Sequence, residues 1–257
     1  MIQSTNMKPR LYSILKRKSK VDIKNFSKKI KPKSMFASSF VKSLPDMSAA
    51  RDLKELVSRI QKARRLKKQI IFMYGAHLIK CGLSPLLIDL VKRGFITCLA
   101  TNGAGVIHDF EIAFCGKTSE DVAENLKKGM FGMSRETGQF VNKAASVAYQ
   151  SKSGFGLSLG RLILDEKLKY RDYSPCFWAY KKGIPFYVFV GIGTDIVHQH
   201  PDARGDAIGF ASFEDFRKFT DTVSFLTGGC NKLWFGGYPS RGISKGTQLS
   251  KEFRQLS

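Results

Sequence analysis

Three short segments carry residue types that could hold a phosphorylated ligand. They are Gly75-Ala76-His77, Thr101-Asn102-Gly103-Ala104-Gly105 and Gly191-Ile192-Gly193-Thr194-Asp195. Each follows a short apolar run and places small residues ahead of polar ones. If the runs are parallel strands, the three segments share one sheet edge, where open α/β sheets bind ligands. Glycine lets backbone N–H groups approach a phosphate, and a following helix N-terminus favours its charge. Three such loops on one edge point to a nucleotide or dinucleotide. Asp195 could accept hydrogen bonds from ribose hydroxyls. His108, Asp109 and Glu111 follow the second loop and could face a cationic substrate. The plainer reading makes Asp109 and Glu111 early helical residues favoured by the helix dipole. Gly103-Ala104-Gly105 is also not a complete G-x-G-x-x-G, because His108 stands where the last glycine would be. Taken alone, a glycine needed only for a turn explains it equally well.

Other reactive residues are less organised. His198 and His200 form an H-x-H pair, which binds metal only when a third ligand converges. Asp195 and Asp202 are the nearby candidates, and a structural or substrate-contact role is the favoured expectation. No metal is expected. The five cysteines, Cys81, Cys98, Cys115, Cys176 and Cys230, are widely spaced, with no C-x-x-C. That argues against a disulfide framework and for a reducing, cytoplasmic setting.

The elements that must position these residues follow from periodicity. Residues 51–66 repeat apolar side chains at helical spacing, with a basic outer face. Residues 69–75, 95–101 and 184–190 are continuous apolar runs, expected as buried strands. Helices are expected over 83–94 with Ser84 as N-cap, over 118–129 opened by a Thr118–Asp121 capping box, and over 134–150, 155–168 and 174–183. A tight loop at 101–105 should lead into a helix through 106–114. Residues 212–229 read as an amphipathic helix capped by Ser212, with Phe213, Phe216, Phe219, Val223 and Leu226 on one face. Alternating strands and helices predict an α/β fold with a mostly parallel sheet covered on both faces.

The charge is uneven. The 257 residues carry 43 Lys+Arg against 21 Asp+Glu, a net +22. Residues 1–70 contribute +16, residues 71–230 only +2 and residues 231–257 +4. The densest runs are at 15–20, 28–33 and 62–68. A solvated basic arm over 1–50, a phosphate-binding arm and a transit peptide are the competing readings. A basic-arm nucleic-acid binder is the remote alternative for the whole chain. No apolar run approaches the about 18 residues of a spanning helix, so no membrane span is expected.

The chain resembles the deoxyhypusine synthase family, in particular its short prokaryotic branch. The resemblance runs from RKSKV at 17–21 through SLPDMSAARDLKELV at 43–57 and GAHLIKCGLSPLLIDLVKRGFIT at 75–97. It continues through TNGAGVIHDFEIA at 101–113, TSEDVAENL at 118–126, IGTDIVHQHP at 192–201 and LTGG at 226–229. It implies a Rossmann-like fold assembled as a homotetramer, with NAD as cofactor and a polyamine such as spermidine as substrate. The implied activity is transfer of an aminobutyl group to an amine acceptor, with small-polyamine synthesis from putrescine-type or agmatine-type units as the alternative. By position, His77, Leu78, Ile79, Lys80 and Cys81, and Thr101, Asn102, Gly103 and Gly105, are implied to contact NAD. Asp195 is implied to hold the adenosine ribose, and His108, Asp109 and Glu111 to lie along the substrate wall. A basic start is part of the same pattern, so nucleic acid is not an expected partner.

Two departures bear on function. The acidic pair that follows the Gly-Val step in the protein-modifying enzymes is here Ile107 and His108. The Trp-Gly-Lys stretch that holds the family's catalytic lysine has no match, so no catalytic residue is assigned. After Gly229 the apolar periodicity stops, and residues 230–257 show no helix or strand pattern. The division expected is therefore an arm at 1–50, a partial NAD-binding domain at 51–229 and a non-family tail at 230–257. We read the tail as a shifted reading frame. Leu233–Thr247 can be encoded so that the frame one nucleotide later spells Phe-Gly-Ser-Ala-Val-Ile-Leu-Pro-Glu-Val-Phe-Leu-Lys-Ala, the continuation the resemblance implies. Such a chain would lack the last part of its sheet and could be an inactive remnant. Sequencing the gene past codon 229 tests this. The family continuation is expected in the neighbouring frame, and its absence there would overturn the reading.

Overall fold

The computed structural model describes residues 37–127, 129–224, 226 and 232–235. The chain divides into two compact units, Met1–Arg59 and Ile60–Ser257. In the first, α1 (Ala37–Ser43) precedes the start of α2 (Ser48–Arg65). Lys54 Nζ donates to the Leu44 carbonyl at 2.7 Å, which ties the α1–α2 connection to the helix. The basic runs at 15–20 and 28–33 lie outside the described residues.

The second unit is built on a parallel sheet of order β3-β2-β1-β4. Its strands are β1 (Ile71–Tyr74), β2 (Cys98–Asn102), β3 (Phe186–Phe189) and β4 (Lys232–Phe235). All pairings are parallel, with Ile71 opposite Cys98 and Leu99 opposite Phe186. Strands β1 to β3 are apolar and almost wholly buried, as a sheet covered on both faces requires. One face, with Phe72, Tyr74, Leu99, Phe186 and Val188, belongs to the main core. That core also takes side chains from α3 (Ala76–Lys80), α4 (Ser84–Lys92), α5 (Gly103–Cys115), α7 (Arg135–Ser151), α8 (Phe155–Asp165) and α9 (Pro175–Lys182). The other face, with Ile71, Met73, Cys98, Ala100 and Tyr187, meets Phe219 of α10 (Gly205–Ser224), together with Val223 and Leu226. Phe219 makes edge contacts with Tyr187 and Phe189 at 5.7 and 5.1 Å.

Several expected boundaries move for local reasons. Ser84 is the first helical residue of α4 and makes no cap; Leu83 holds the N-cap position. The loop expected at 101–105 is absent. β2 passes directly into α5, and Asn102 caps it by accepting from the Gly105 N–H at 2.9 Å. Thr118 does not open a helix. The short α6 (Val122–Lys127) starts later, with the Asp121 carboxylate accepting from the Glu124 N–H. α9 begins where expected, with Ser174 accepting from Phe177 N–H, and stops at Gly183, whose φ of 66° is the left-handed conformation glycine favours. α10 starts seven residues before Ser212, which is therefore interior to the helix. Its hydroxyl bonds the backbone of Val188 and Val190 instead. Only the later part of the expected apolar face packs inward; Phe213 and Phe216 are exposed and stacked on one another. β4 corrects the expectation of a patternless tail. Leu233-Trp234-Phe235 is a run too short to stand out, yet it pairs along β1 from Ile71 to Tyr74.

Two buried carboxylates fasten the layers together. Asp215 of α10 accepts from the N–H groups of Gly156 in α8 and Val188 in β3, both at 2.9 Å. Asp109 of α5 accepts from the Cys176 N–H at the start of α9, at 2.9 Å. Burial pushes both from the ordinary 3.8 up to about 7, against the hydrogen bonds that favour the charged form. Because the folded-state values lie above the unfolded ones, the folded chain retains protons that the unfolded chain releases. The resulting stabilisation is complete below about pH 4 and is lost as pH rises through about 7. Between those values the wild type should lose stability relative to a variant carrying Asp109→Asn and Asp215→Asn, measured by urea midpoints. A constant difference across the window would contradict this.

Candidate functional site

Because the strands are parallel and β2 lies between β1 and β3, the three candidate segments emerge side by side. Their proximity can be measured at the glycines. A methyl group built on Gly75 would lie 4.0 Å from Asn102 Nδ2, joining the first loop to the second. One built on Gly103 would lie 1.9 Å from Asp195 Oδ2, joining the second to the third. Any side chain at 103 would therefore displace the Asp195 carboxylate. Gly105 is equally confined, since its methyl would meet the Thr101 hydroxyl at 2.1 Å.

Each segment has its own internal support. The Thr101 hydroxyl donates to the Tyr74 carbonyl at 2.9 Å, locking the end of β2 to the end of β1. In the third loop Gly193, with φ 84°, donates its N–H to His198 Nδ1 at 3.1 Å. That bond makes Nδ1 an acceptor and puts the neutral ring's proton on Nε2. Asp195 is part-buried. Burial raises its pKa, while the neighbouring His198 lowers it. Behind this loop Asn142 of α7 donates to the Val197 carbonyl at 3.0 Å, and a small cleft opens among Gly103, Asn142, Asp195 and His198.

The expected cofactor residues divide by side-chain placement. His77, Lys80, Cys81 and Asn102 are exposed near the strand ends. Leu78 and Ile79 are buried core residues, so only their backbone could contribute. The Thr101 side chain is likewise a buried strut. His198 and His200 do not act as a pair: His200 is buried and its Nε2 donates to the Gly132 carbonyl at 2.8 Å. No group of three metal-ligating side chains occurs among the described residues.

The expected substrate residues divide too. The Asp109 side chain is buried against the start of α9, where it accepts from the Cys176 N–H. Helical spacing explains this, since Asp109 sits beside Val106 and Phe110 on the core side of α5. His108 and Glu111 are brought together on the opposite side. Thr118 hydrogen-bonds both His108 Nδ1 and Glu111 Oε2, and His108 Nδ1 lies 3.7 Å from Glu111 Oε2. Thr137 donates to Glu111 Oε1 at 3.1 Å, with the Ser134 hydroxyl 3.0 Å from Thr137. Burial opposes ionisation of Glu111, but the nearby His108 and the hydrogen bonds from Thr118 and Thr137 together hold it below the usual carboxylate value. Thr118, Thr137 and Ser134 were not expected at the site. The Thr118-x-x-Asp121 spacing suggested a helix cap, and nothing in the sequence marks the other two.

The deoxyhypusine synthase family model matches residues 40–229. A probable deoxyhypusine synthase of Thermococcus kodakarensis is 26% identical over 181 residues, covering 59% of this chain and 53% of that protein. One from Thermococcus onnurineus is 25% identical over 183 residues, with the same coverage. The chain thus spans about half the length of these curated relatives. A cyanobacterial arginine dihydrolase structure overlays with a TM-score of 0.47 at 17% identity, covering 81% of this chain and 26% of that one. The family match spans most of the chain and all three strand-end loops, and the chain belongs to the deoxyhypusine synthase family.

Proposed function

We propose that this protein binds NAD at the three strand ends and transfers an aminoalkyl group from a polyamine to an amine acceptor. The observation that carries the proposal is the approach of Asp195 to Gly103, which brings a carboxylate acceptor from the loop after β3 to the start of α5. The residues fit the cofactor. Gly103 is buried at the start of α5 and lets the Asp195 carboxylate lie close to that end of the helix. The Asp195 carboxylate suits a pair of ribose hydroxyls. When bound, NAD supplies a hydride acceptor. The chain's own groups bind and orient: Asn102 fixes the first turn of α5, Thr101 fixes the strand end, and His108 and Glu111 offer polar groups along the next turns.

Family membership supports aminobutyl transfer as the reaction class and spermidine as the donor. With Ile107 buried and His108 in place of an acidic pair, a small amine acceptor such as putrescine or agmatine suits this chain better than a protein lysine. A homotetramer in the cytoplasm completes the proposal. Among the described residues no helix is long and apolar enough to cross a membrane. A second reading, a nucleotide-binding remnant without transfer activity, is favoured by the family match stopping at residue 229.

Product analysis separates the two. Incubation with NAD, spermidine and putrescine or agmatine is expected to give diaminopropane and a new, longer amine. NAD binding with no new amine would favour the remnant, and absence of NAD binding would refute both.

A further inference from the structure

Between Gly103 and Ile112, α5 leaves one stripe partly open: Ala104, His108, Glu111 and Ile112. The spacing of four, three and one residues keeps them on a single helix face. The stripe starts at the glycine loop where the strand ends meet. His108 is the first polar side chain along it, one turn beyond Ala104.

The hydrogen bonds around His108 leave one consistent arrangement of protons. Thr118 has a single hydroxyl proton and contacts two partners. Glu111 is ionised and can only accept, so the Thr118 proton points to Glu111 Oε2. The Thr118 oxygen must then accept from His108, which places the ring proton on Nδ1. Thr137 donates to the other oxygen of Glu111, so both carboxylate oxygens are engaged. In the neutral ring Nε2, on the far side, is then the lone-pair acceptor.

We propose that Glu111, acting through Thr118, fixes His108 as the Nδ1–H tautomer, with Nε2 open to receive the proton of a substrate amine. His108 is then a catalytic base, and Thr118 and Glu111 are positioning residues. This inference rests on the NAD-dependent amine reading above. For a neutral secondary amine the step balances. The α-carbon gives its hydride to the nicotinamide as oxidant, the nitrogen gives its proton to His108 Nε2, and the carbon–nitrogen double bond forms. A histidine suits this role better than a second carboxylate would, because a carboxylate would hold the amine in its charged form, which cannot lose a hydride readily.

Nitrogen NMR of the protein carrying 15N-histidine tests the relay directly. His108 is expected as the Nδ1–H tautomer, with that preference lost in Thr118→Val and Glu111→Gln. Titrating spermidine into the NAD complex should shift the His108 Nε2 resonance. His108→Gln should bind NAD as the wild type does but form NADH from spermidine at least about a hundredfold more slowly, in the usual range for loss of a general base. An Nε2–H tautomer, a tautomer indifferent to Thr118→Val, or an Nε2 resonance unmoved by saturating spermidine would each overturn the proposal. If the wild type forms no NADH from any polyamine, the functional reading fails, while the tautomer and the spermidine shift still decide the relay.

Discussion

The site depends on how closely the backbone of Gly103 can approach the Asp195 carboxylate. A methyl group at 103 would sit 1.9 Å from Asp195 Oδ2, so this approach exists only because position 103 has no side chain. The parallel order β3-β2-β1 puts the ends of β2 and β3 next to one another. The direct passage of β2 into α5, capped by Asn102, then aims the helix N-terminus at the same place. Glycine at this point costs backbone entropy, roughly 0.5–1 kcal/mol relative to alanine in a helix. The fold accepts that cost where the Asp195 carboxylate needs the room.

Behind the loops, buried polar groups do the fastening. Asp215 joins α10, α8 and β3; Asp109 joins α5 and α9; Asn142 joins α7 to the segment after the third loop. Each satisfies backbone groups that would otherwise lie unpaired in the core, at about 1–3 kcal/mol apiece. Asp109 shows how such a residue can be misjudged. Its neighbours in sequence, His108 and Glu111, line the open stripe, while it turns through the helix into the core. Burial raises its pKa to about 7 against the lowering effect of the Cys176 N–H bond, a shift that could be mistaken for a catalytic signature but follows from its place in the core.

Much of this was legible in the sequence. Continuous apolar runs predicted buried parallel strands, and glycines after each run marked the three loops, because both signals are local. The family resemblance implied NAD and a ribose role for Asp195, and both belong to the proposed function. Where a residue has two possible partners, sequence spacing favours the nearer one. Thr118 and Ser212 read as helix caps because their spacing allowed it, but they bond residues elsewhere in the fold. β4 was missed because three apolar residues make no pattern; its place beside β1 depends on the strand it pairs with. The His108–Thr118–Glu111 relay was likewise invisible, since it requires the 116–121 loop to fold back along α5.

If NAD is held beside Gly103 and Asp195, as proposed, the variant Gly103→Ala should bind it more weakly. The added methyl meets the end of a flexible side chain, so Asp195 can swing away and the fold should survive. Titration calorimetry should then show NAD bound by the wild type, and bound at least about tenfold more weakly by the variant, as expected for loss of a charge-assisted hydrogen bond. Equal affinity in the two proteins, or no NAD binding by the wild type, would contradict the claim.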